Sequence, residues 1–137
     1  MSEPASASVF RWPVRVYWED TDAGGVVYHA SYLRFLERAR TEWLRALGVD
    51  QFALKHDRGL AFLVRDMQID FLRPALLDDE LAITVCVMQR RAASILFTQT
   101  VVRADGTCLI RANVRIACVD MLHMRPAQVP ADLMALM

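Results

Sequence analysis

Alternating apolar and polar side chains near the start of the chain predict a β-strand over residues 11–19. One face carries Val14, Val16 and Trp18, and the other carries Arg15, Tyr17 and Glu19. The preceding residues 1–9 are small and polar, so we expect them to form a loose N-terminal tail. The ordered domain should therefore begin near Phe10.

A helical period replaces this alternation further along the chain. The apolar positions recur every three or four residues over about four turns, at Tyr32, Phe35, Leu36, Ala39, Trp43, Ala46 and Leu47. Charged side chains occupy the opposite face, and Gly48 is the expected end of the helix. An apolar stripe of this kind is usually buried, which favours a packing role for Tyr32, Phe35 and Trp43.

Four further runs are rich in β-branched and aromatic residues and predict strands at about 60–73, 79–90, 93–104 and 107–120. The dipeptide at 105–106 is Asp-Gly, which is a strong hairpin signal between the last two runs. Residues 49–58 predict a short helical turn. The order is thus one strand, one long helix and four strands.

In the last run, apolar and polar positions alternate strictly. Apolar side chains stand at Ile110, Ala112, Val114, Ile116 and Cys118, and polar ones at Arg111, Asn113 and Arg115. This pattern indicates an α+β domain built on a five-stranded antiparallel sheet. One helix cannot cover both faces of such a sheet, and 55% of the residues are hydrophobic. We therefore expect a second subunit to cover part of the surface.

Composition narrows the function classes. With 137 residues the chain should form a single domain, and its 16 basic residues balance its 16 acidic ones. This balance argues against nucleic-acid binding. The absence of a long apolar run and of a secretory signal predicts a cytoplasmic protein. The three cysteines are widely spaced and read as reduced core thiols, at Cys86, Cys108 and Cys118.

The segment from Glu19 to Tyr32 carries the strongest chemical signal, because two aspartates and two glycines precede the long helix. A helix N-terminus has unpaired N–H groups and a partial positive charge, so it can stabilise an oxyanion. A nearby carboxylate, Asp20 or Asp22, could attack or activate water at the same carbonyl. The alternative is that either aspartate only caps a turn.

His29 allows several interpretations. Its imidazole is a candidate general acid, or a metal ligand together with Asp20 and Asp22. Metal sites normally show a tighter ligand set, and His56 and His123 are far away in sequence. We therefore expect no metal site.

The segment Asp20 to Val27, followed by residues 28–32, resembles the hotdog-fold thioesterases of the 4-hydroxybenzoyl-CoA thioesterase family. Within that family, the run from Phe10 through Glu42 is similar to the bacterial acyl-CoA thioesterases associated with the Tol-Pal system, as are later stretches at 61–65, 77–79 and 96–99. The resemblance extends over nearly the whole chain outside the first nine and the last ten residues.

The resemblance implies a hotdog thioesterase domain over residues 10–127, followed by a C-terminal tail over residues 128–137. In this fold a five-stranded sheet wraps around one central helix, two subunits join into a continuous sheet, and dimers often form a homotetramer. It also implies hydrolysis of acyl-CoA to the free acid and CoA, with no cofactor besides the CoA of the substrate. Any link to the Tol-Pal system is likewise only implied.

By the same resemblance, Asp22 is the catalytic nucleophile or general base, and the backbone N–H of His29 receives the thioester oxygen. Glu37 is a further candidate carboxylate, with a structural role as its alternative. The substrate-binding candidates are glycines that allow close approach, tyrosines of an acyl pocket and a basic cluster for the CoA phosphates, namely Gly24, Gly25, Tyr28, Tyr32, Arg90, Arg91 and Ser94, with Arg65, Arg111 and Arg115 behind them. The alternatives are a charged hairpin tip for the arginines and a packing role for the tyrosines.

Two other function classes remain open at this point. One is a binding module for acyl carrier protein or acyl chains, linked to phospholipid or envelope metabolism, in which hydrolysis is slow or incidental. The other is a hydratase or dehydratase of the same fold, against which the Asp-x-Asp loop argues. The acyl chain length and the choice between covalent and general-base chemistry are not predicted by the sequence.

Overall fold

The structure is a computed structural model that describes residues 9–137, so most of the predicted N-terminal tail lies outside the described part of the chain. Its elements in chain order are β1 (Phe10–Arg15), a short 3₁₀ helix (Trp18–Asp20), α1 (Ser31–Ala46), α2 (Gln51–Arg58), β2 (Leu60–Phe71), β3 (Glu80–Arg90), β4 (Ser94–Arg103), β5 (Cys108–Asp120), β6 (Arg125–Pro126) and α3 (Ala131–Met134).

Antiparallel pairing arranges the five long strands in the order β1-β3-β4-β5-β2, and the two-residue strand β6 pairs with β5. The four strands predicted after the helix are confirmed, each with both ends within two residues of the prediction. The hairpin between β4 and β5 turns at Gly106, whose φ of 90° is in the left-handed region that glycine adopts easily. The α+β architecture predicted from the sequence is therefore confirmed.

Helix α1 packs its apolar stripe against the sheet, where it contacts β3 and β1. Phe35, Leu36 and Ala39 have no exposed surface, and the Trp43 ring meets the Phe97 ring edge-on at 5.2 Å. These contacts confirm the predicted packing role of the stripe. The helix ends as expected at Gly48, which has a φ of 89°.

The first strand is shorter than predicted. It ends at Arg15, and the chain then turns into the 3₁₀ helix, where Trp18 is 77% exposed instead of lying on the buried strand face. The cause is local hydrogen bonding, because the Asp20 carboxylate accepts the Tyr17 N–H at 2.8 Å while the Asp20 N–H donates to the Tyr17 carbonyl at 3.0 Å. The prediction of a strand beyond Arg15 is wrong.

Two segments outside the main sheet complete the core. Helix α2 has two turns, and its N-cap residue Asp50 accepts the Ala53 N–H at 3.0 Å. Residues 128–137, expected to be a tail, carry α3 and place Val129 and Leu133 in the same hydrophobic core as α1. None of the helices in residues 9–137 is long and apolar enough to cross a membrane.

The burial of α1 predicts a large difference between two phenylalanines. Phe35→Ala removes a side chain with no exposed surface and should lower the free energy of unfolding by about 3–5 kcal/mol. Phe52→Ala is the matched control, because Phe52 is 79% exposed and its loss should change stability by less than about 0.5 kcal/mol. Urea denaturation of the two variants beside the wild-type chain measures both; equal losses would contradict the packing described here.

Candidate active site

The segment between β1 and α1 folds into a tight loop. Thr21 and Val27 form an antiparallel bridge, and inside it the Asp22 N–H donates to the Val26 carbonyl at 2.9 Å. The Gly25 N–H returns to the Asp22 carbonyl at 3.1 Å, with Gly25 at a φ of 82°. A residue with a side chain would be strained there, so the glycine is needed for the turn.

The Asp22 carboxylate lies at the exposed tip of this loop. Its Oδ1 atom accepts the Gly24 N–H at 2.7 Å. A Cβ atom added at Gly24 would lie 3.1 Å from that same oxygen, which is closer than an ordinary contact. The missing side chain at Gly24 therefore leaves room for the Asp22 carboxylate in its observed position.

Asp20 has a different role from Asp22. It is 4% exposed, its side chain accepts the Tyr17 N–H, and its backbone carbonyl accepts the Tyr28 N–H at 2.8 Å. These bonds tie the chain before the loop to the chain after it. Of the two aspartates, Asp20 is the turn-forming residue and Asp22 is the one whose carboxylate is open to solvent.

The N-terminus of α1 has no capping side chain. Its N-cap residue is Ala30, and no acidic residue stands in its first turn. The Ser31 N–H bonds to the Tyr28 carbonyl at 2.8 Å, whereas no backbone carbonyl in residues 9–137 accepts the N–H of His29 or Ala30. Uncapped donors at the positive end of a helix form a binding site for an oxyanion.

A pocket of about 280 Å³ opens beside this helix start. It is lined by the end of β2 and the residues around the helix N-terminus, namely Val27, His29, Tyr32, Phe71, Leu72, Arg73 and Pro74. The His29 ring lies 4.4 Å from the Tyr28 ring and meets Phe71 edge-on at 6.5 Å. The pocket is thus mostly apolar, with one arginine at its wall.

Tyr32 is both a packing residue and a wall of this pocket. Its hydroxyl oxygen accepts the Ala75 N–H at 3.0 Å, and its ring packs edge-on against Phe35 and at a tilt against Phe71. Burial raises the pKa of the Tyr32 phenol, an effect that the hydrogen bond from Ala75 partly opposes. Tyr32 therefore keeps its proton at neutral pH and anchors the helix start to residue 75. Tyr28, by contrast, is 44% exposed.

The predicted basic cluster lies elsewhere in the chain. Arg90 is the last residue of β3, and Arg91 follows it. The Asp22 loop adjoins the residues before β3, through the bridge between Val26 and Leu76. The two ends of an extended strand of this length are about 33 Å apart. Arg90 donates to the carbonyl of Met137. Ser94 is buried and bonds Arg115 at 3.4 Å. Within one chain these residues do not join Asp22.

Sequence reasoning did not single out Arg73, which is the arginine of the pocket beside the helix start. Its only sequence signal was its place at the end of the strand predicted at about 60–73. Glu37 lies two turns into α1, where it lines a second and larger cavity with Arg40. In the described residues 9–137, no three His, Cys, Asp or Glu side chains are grouped so as to hold a metal ion.

Comparison with known proteins identifies relatives that are described as thioesterases. The family model of the thioesterase-like superfamily matches residues 16–137. The acyl-CoA thioester hydrolase YbgC of Escherichia coli O6:H1 is 51% identical over 130 residues, covering 95% of this chain and 96% of that protein. The acyl-CoA thioesterase YbgC of Haemophilus influenzae is 48% identical over 126 residues, covering 92% of each.

Solved structures support the same assignment at the level of the fold. A mutant of 4-hydroxybenzoyl CoA thioesterase in complex with 4-hydroxybenzoyl CoA superimposes with a TM-score of 0.87 at 24% identity, covering 93% of this chain and 97% of that one. The predicted hotdog architecture, a curled five-stranded sheet with a long helix packed on it, is confirmed. The chain belongs to the thioesterase-like superfamily.

Proposed function

We propose that this protein hydrolyses the thioester of acyl-CoA to a free carboxylic acid and CoA, with Asp22 as nucleophile or general base. One observation carries this proposal: a single loop joins an exposed carboxylate to a helix start with two free N–H groups, beside an apolar pocket. The names of the YbgC relatives support the same reaction and substrate class.

The chemistry needs few groups. A thiol has a pKa of about 8.5, so the CoA thiolate leaves with little help from a general acid. The developing oxyanion would be stabilised by the N–H groups of His29 and Ala30, each donor typically contributing about 3 kcal/mol. Within the described residues the Asp22 carboxylate accepts one hydrogen bond, from Gly24, which leaves its second oxygen available.

Two routes are open to Asp22. As a nucleophile it would form a mixed anhydride with the acyl group and release CoA, and water would then cleave the anhydride; as a base it would take a proton from water that attacks the thioester. One turnover in water enriched in heavy oxygen separates them. Direct attack by water labels the product acid, whereas an anhydride that water opens at the Asp22 carboxyl carbon leaves an Asp22 oxygen in the acid and puts the label into Asp22.

For substrate binding, Gly24 and Gly25 would allow the loop to come close to the thioester. Tyr28 and Tyr32 would line the acyl pocket together with the residues at the end of β2. Arg73 is the cation nearest to that pocket. Contact of Arg90, Arg91 and Ser94 with the CoA phosphates would require a second subunit, because these residues lie at the far end of β3 in their own chain. A cytoplasmic location and a role beside the Tol-Pal system are further parts of the proposal.

Replacing Asp22 tests the mechanism most directly. Asp22→Asn should reduce thiol release from a panel of short, long and aromatic acyl-CoAs by on the order of 10³-fold, because the amide is neither nucleophile nor base. Asp57→Asn, at an exposed aspartate on α2, is the matched control and should keep full activity. Unchanged hydrolysis in Asp22→Asn would exclude the mechanism, and no hydrolysis by the wild type would favour an acyl-binding role.

Gly24 offers a test that leaves the carboxylate in place. Gly24→Ala puts a methyl group about 3.1 Å from Asp22 Oδ1, so the carboxylate must shift. We expect kcat to fall by about tenfold or more, because small misplacements of a reacting group are costly. Gly106→Ala in the β4–β5 hairpin is the control, where strain at a φ of 90° should lower stability but not kcat. A normal kcat in Gly24→Ala would argue against Asp22.

The free edge of the sheet supports a homodimer. Within residues 9–137, strand β2 pairs only with β5. It has 12 residues, and Leu63 and Val64 are 40% and 48% exposed. The other edge, β1, contains Pro13, which is typical of an edge that stays unpaired. We therefore propose that two copies join at β2, and a tetramer would add a second interface.

A charge on β2 should separate the copies. Val64→Lys places an ammonium group in the proposed interface and should shift the protein from dimer to monomer in sedimentation equilibrium. Leu122→Lys is the control, since Leu122 is 82% exposed in the turn after β5 and lies outside the proposed interface. A monomeric wild-type protein, or a Val64→Lys variant with the wild-type mass, would contradict pairing at this edge.

A further inference from the structure

Arg40 is a buried cation on the inner side of α1. It is 7% exposed, although arginine is seldom buried without an acidic partner. In residues 9–137 it forms no ion pair. Its burial lowers the pKa of the guanidinium, while the nearby charge of Glu37 raises it.

A neutral network holds the guanidinium in place. Arg40 Nη1 donates to Gln99 Oε1 at 3.0 Å, and Gln99, with no exposed surface, donates in turn to the carbonyls of Leu36 and Thr84 at 3.1 and 3.2 Å. A guanidinium has five N–H donors, and this network uses one of them. The network therefore fixes the position of the charge without neutralising it.

The remaining surface of Arg40 faces a cavity of about 490 Å³ between α1 and β2. Most of its wall is apolar, from Leu33, Leu44, Phe62, Leu63, Val64, Met67, Phe97 and Ile116, and two of these, Leu63 and Val64, also stand at the proposed dimer edge. The polar side chains that line it include Arg40, Glu37 and Thr41. A hydrocarbon chain would fit the apolar wall, but it would displace water from the N–H groups of Arg40 that face the cavity and leave them without an acceptor.

The cavity lies further along α1 than the pocket beside the helix start. The Arg40 guanidinium bonds to Gln99, and Gln99 bonds to the Leu36 carbonyl, so the guanidinium lies near Leu36 along the helix axis. Leu36 is seven residues from His29, which corresponds to about 10 Å along the axis. A thioester carbonyl bound at His29 would thus send a medium-length acyl chain past Leu33 toward Arg40. This step rests on the proposed function, since it takes the helix start as the site of the thioester.

The charges around the cavity favour one kind of oxygen. A hydroxyl group accepts a hydrogen bond from Arg40 and also donates one to the Glu37 carboxylate, so it satisfies both residues. A carboxylate would be attracted by Arg40 but repelled by Glu37. We propose that Arg40 is a specificity-determining residue that binds a hydroxyl group at the distal end of the acyl chain, so that the enzyme prefers ω-hydroxyacyl-CoA to the saturated acyl-CoA of equal length.

The test compares kcat/KM for octanoyl-CoA, ω-hydroxyoctanoyl-CoA and the octanoyl chain with a terminal carboxylate. The wild-type protein should prefer the hydroxylated chain by about tenfold, the value of one hydrogen bond to a charged group. Arg40→Met should reduce the ratio to about one, mainly through KM, while octanoyl-CoA is still hydrolysed. Arg34→Met, at an exposed arginine of the same helix, should keep the wild-type ratio.

Each outcome is decisive. The ratio of kcat/KM values for two substrates does not depend on the fraction of enzyme that is folded. If Arg40→Met does not fold, Arg40→Lys replaces it. Because Arg40→Lys keeps the cation, it should retain part of the preference for the hydroxylated chain. Hydrolysis of octanoyl-CoA without a wild-type preference for the hydroxylated chain, or a preference for the carboxylate, overturns the inference and leaves the proposed function standing. No hydrolysis of any of the three overturns the inference, and the proposed function fails with it only if the panel of short, long and aromatic acyl-CoAs is not hydrolysed either.

Discussion

Burial of the apolar stripe of α1 against the sheet is the constraint on which the rest of the molecule depends. Phe35, Leu36 and Ala39 lose all contact with water only if the sheet curls around the helix. Two polar contacts then fix where the helix lies, one from the Ala75 N–H to the Tyr32 hydroxyl and one from Gln99 to the Leu36 carbonyl. Apolar burial holds the helix in the sheet, and directional hydrogen bonds set its position along the axis.

The loop before the helix follows from that position. Val27 donates to the Ala75 carbonyl, and Ala75 donates to Tyr32, so the loop and the helix start are held by the same short segment before β3. A capping side chain at position 30 would typically stabilise the helix by about 1 kcal/mol, yet the residue there is alanine. Local stability is thus lower at the point where free N–H groups are useful for binding an oxyanion, as is usual for functional sites.

Three of the buried polar side chains differ in what they bond. The Asp20 carboxylate accepts a backbone N–H, and the Gln99 amide N–H groups donate to backbone carbonyls, so both residues hold segments together. Arg40 differs, because its one hydrogen bond leaves a cation facing a mostly apolar cavity, with the Glu37 charge nearby but not in an ion pair with it. Burial of a cation that lacks a directly bonded carboxylate is costly, and a polar group of a ligand that reaches Arg40 would offset that cost.

The sequence by itself determined the strands, the long helix and its glycine stop, because side-chain period and turn residues act over a few positions. It also located the Asp22 loop, because the hydrogen bonds at its tip join Asp22 to residues at most four positions away. The end of β1 was missed because the alternation continues through Trp18 although a bond between Asp20 and Tyr17 turns the chain. Only the tertiary structure decided that Arg73 joins the pocket, that Arg40 faces a cavity and that the Asp22 loop lies at the opposite end of β3 from Arg90. These facts depend on the strand order β1-β3-β4-β5-β2, which brings together residues far apart in the chain, and such pairing is set by the burial of the whole core rather than by any local pattern.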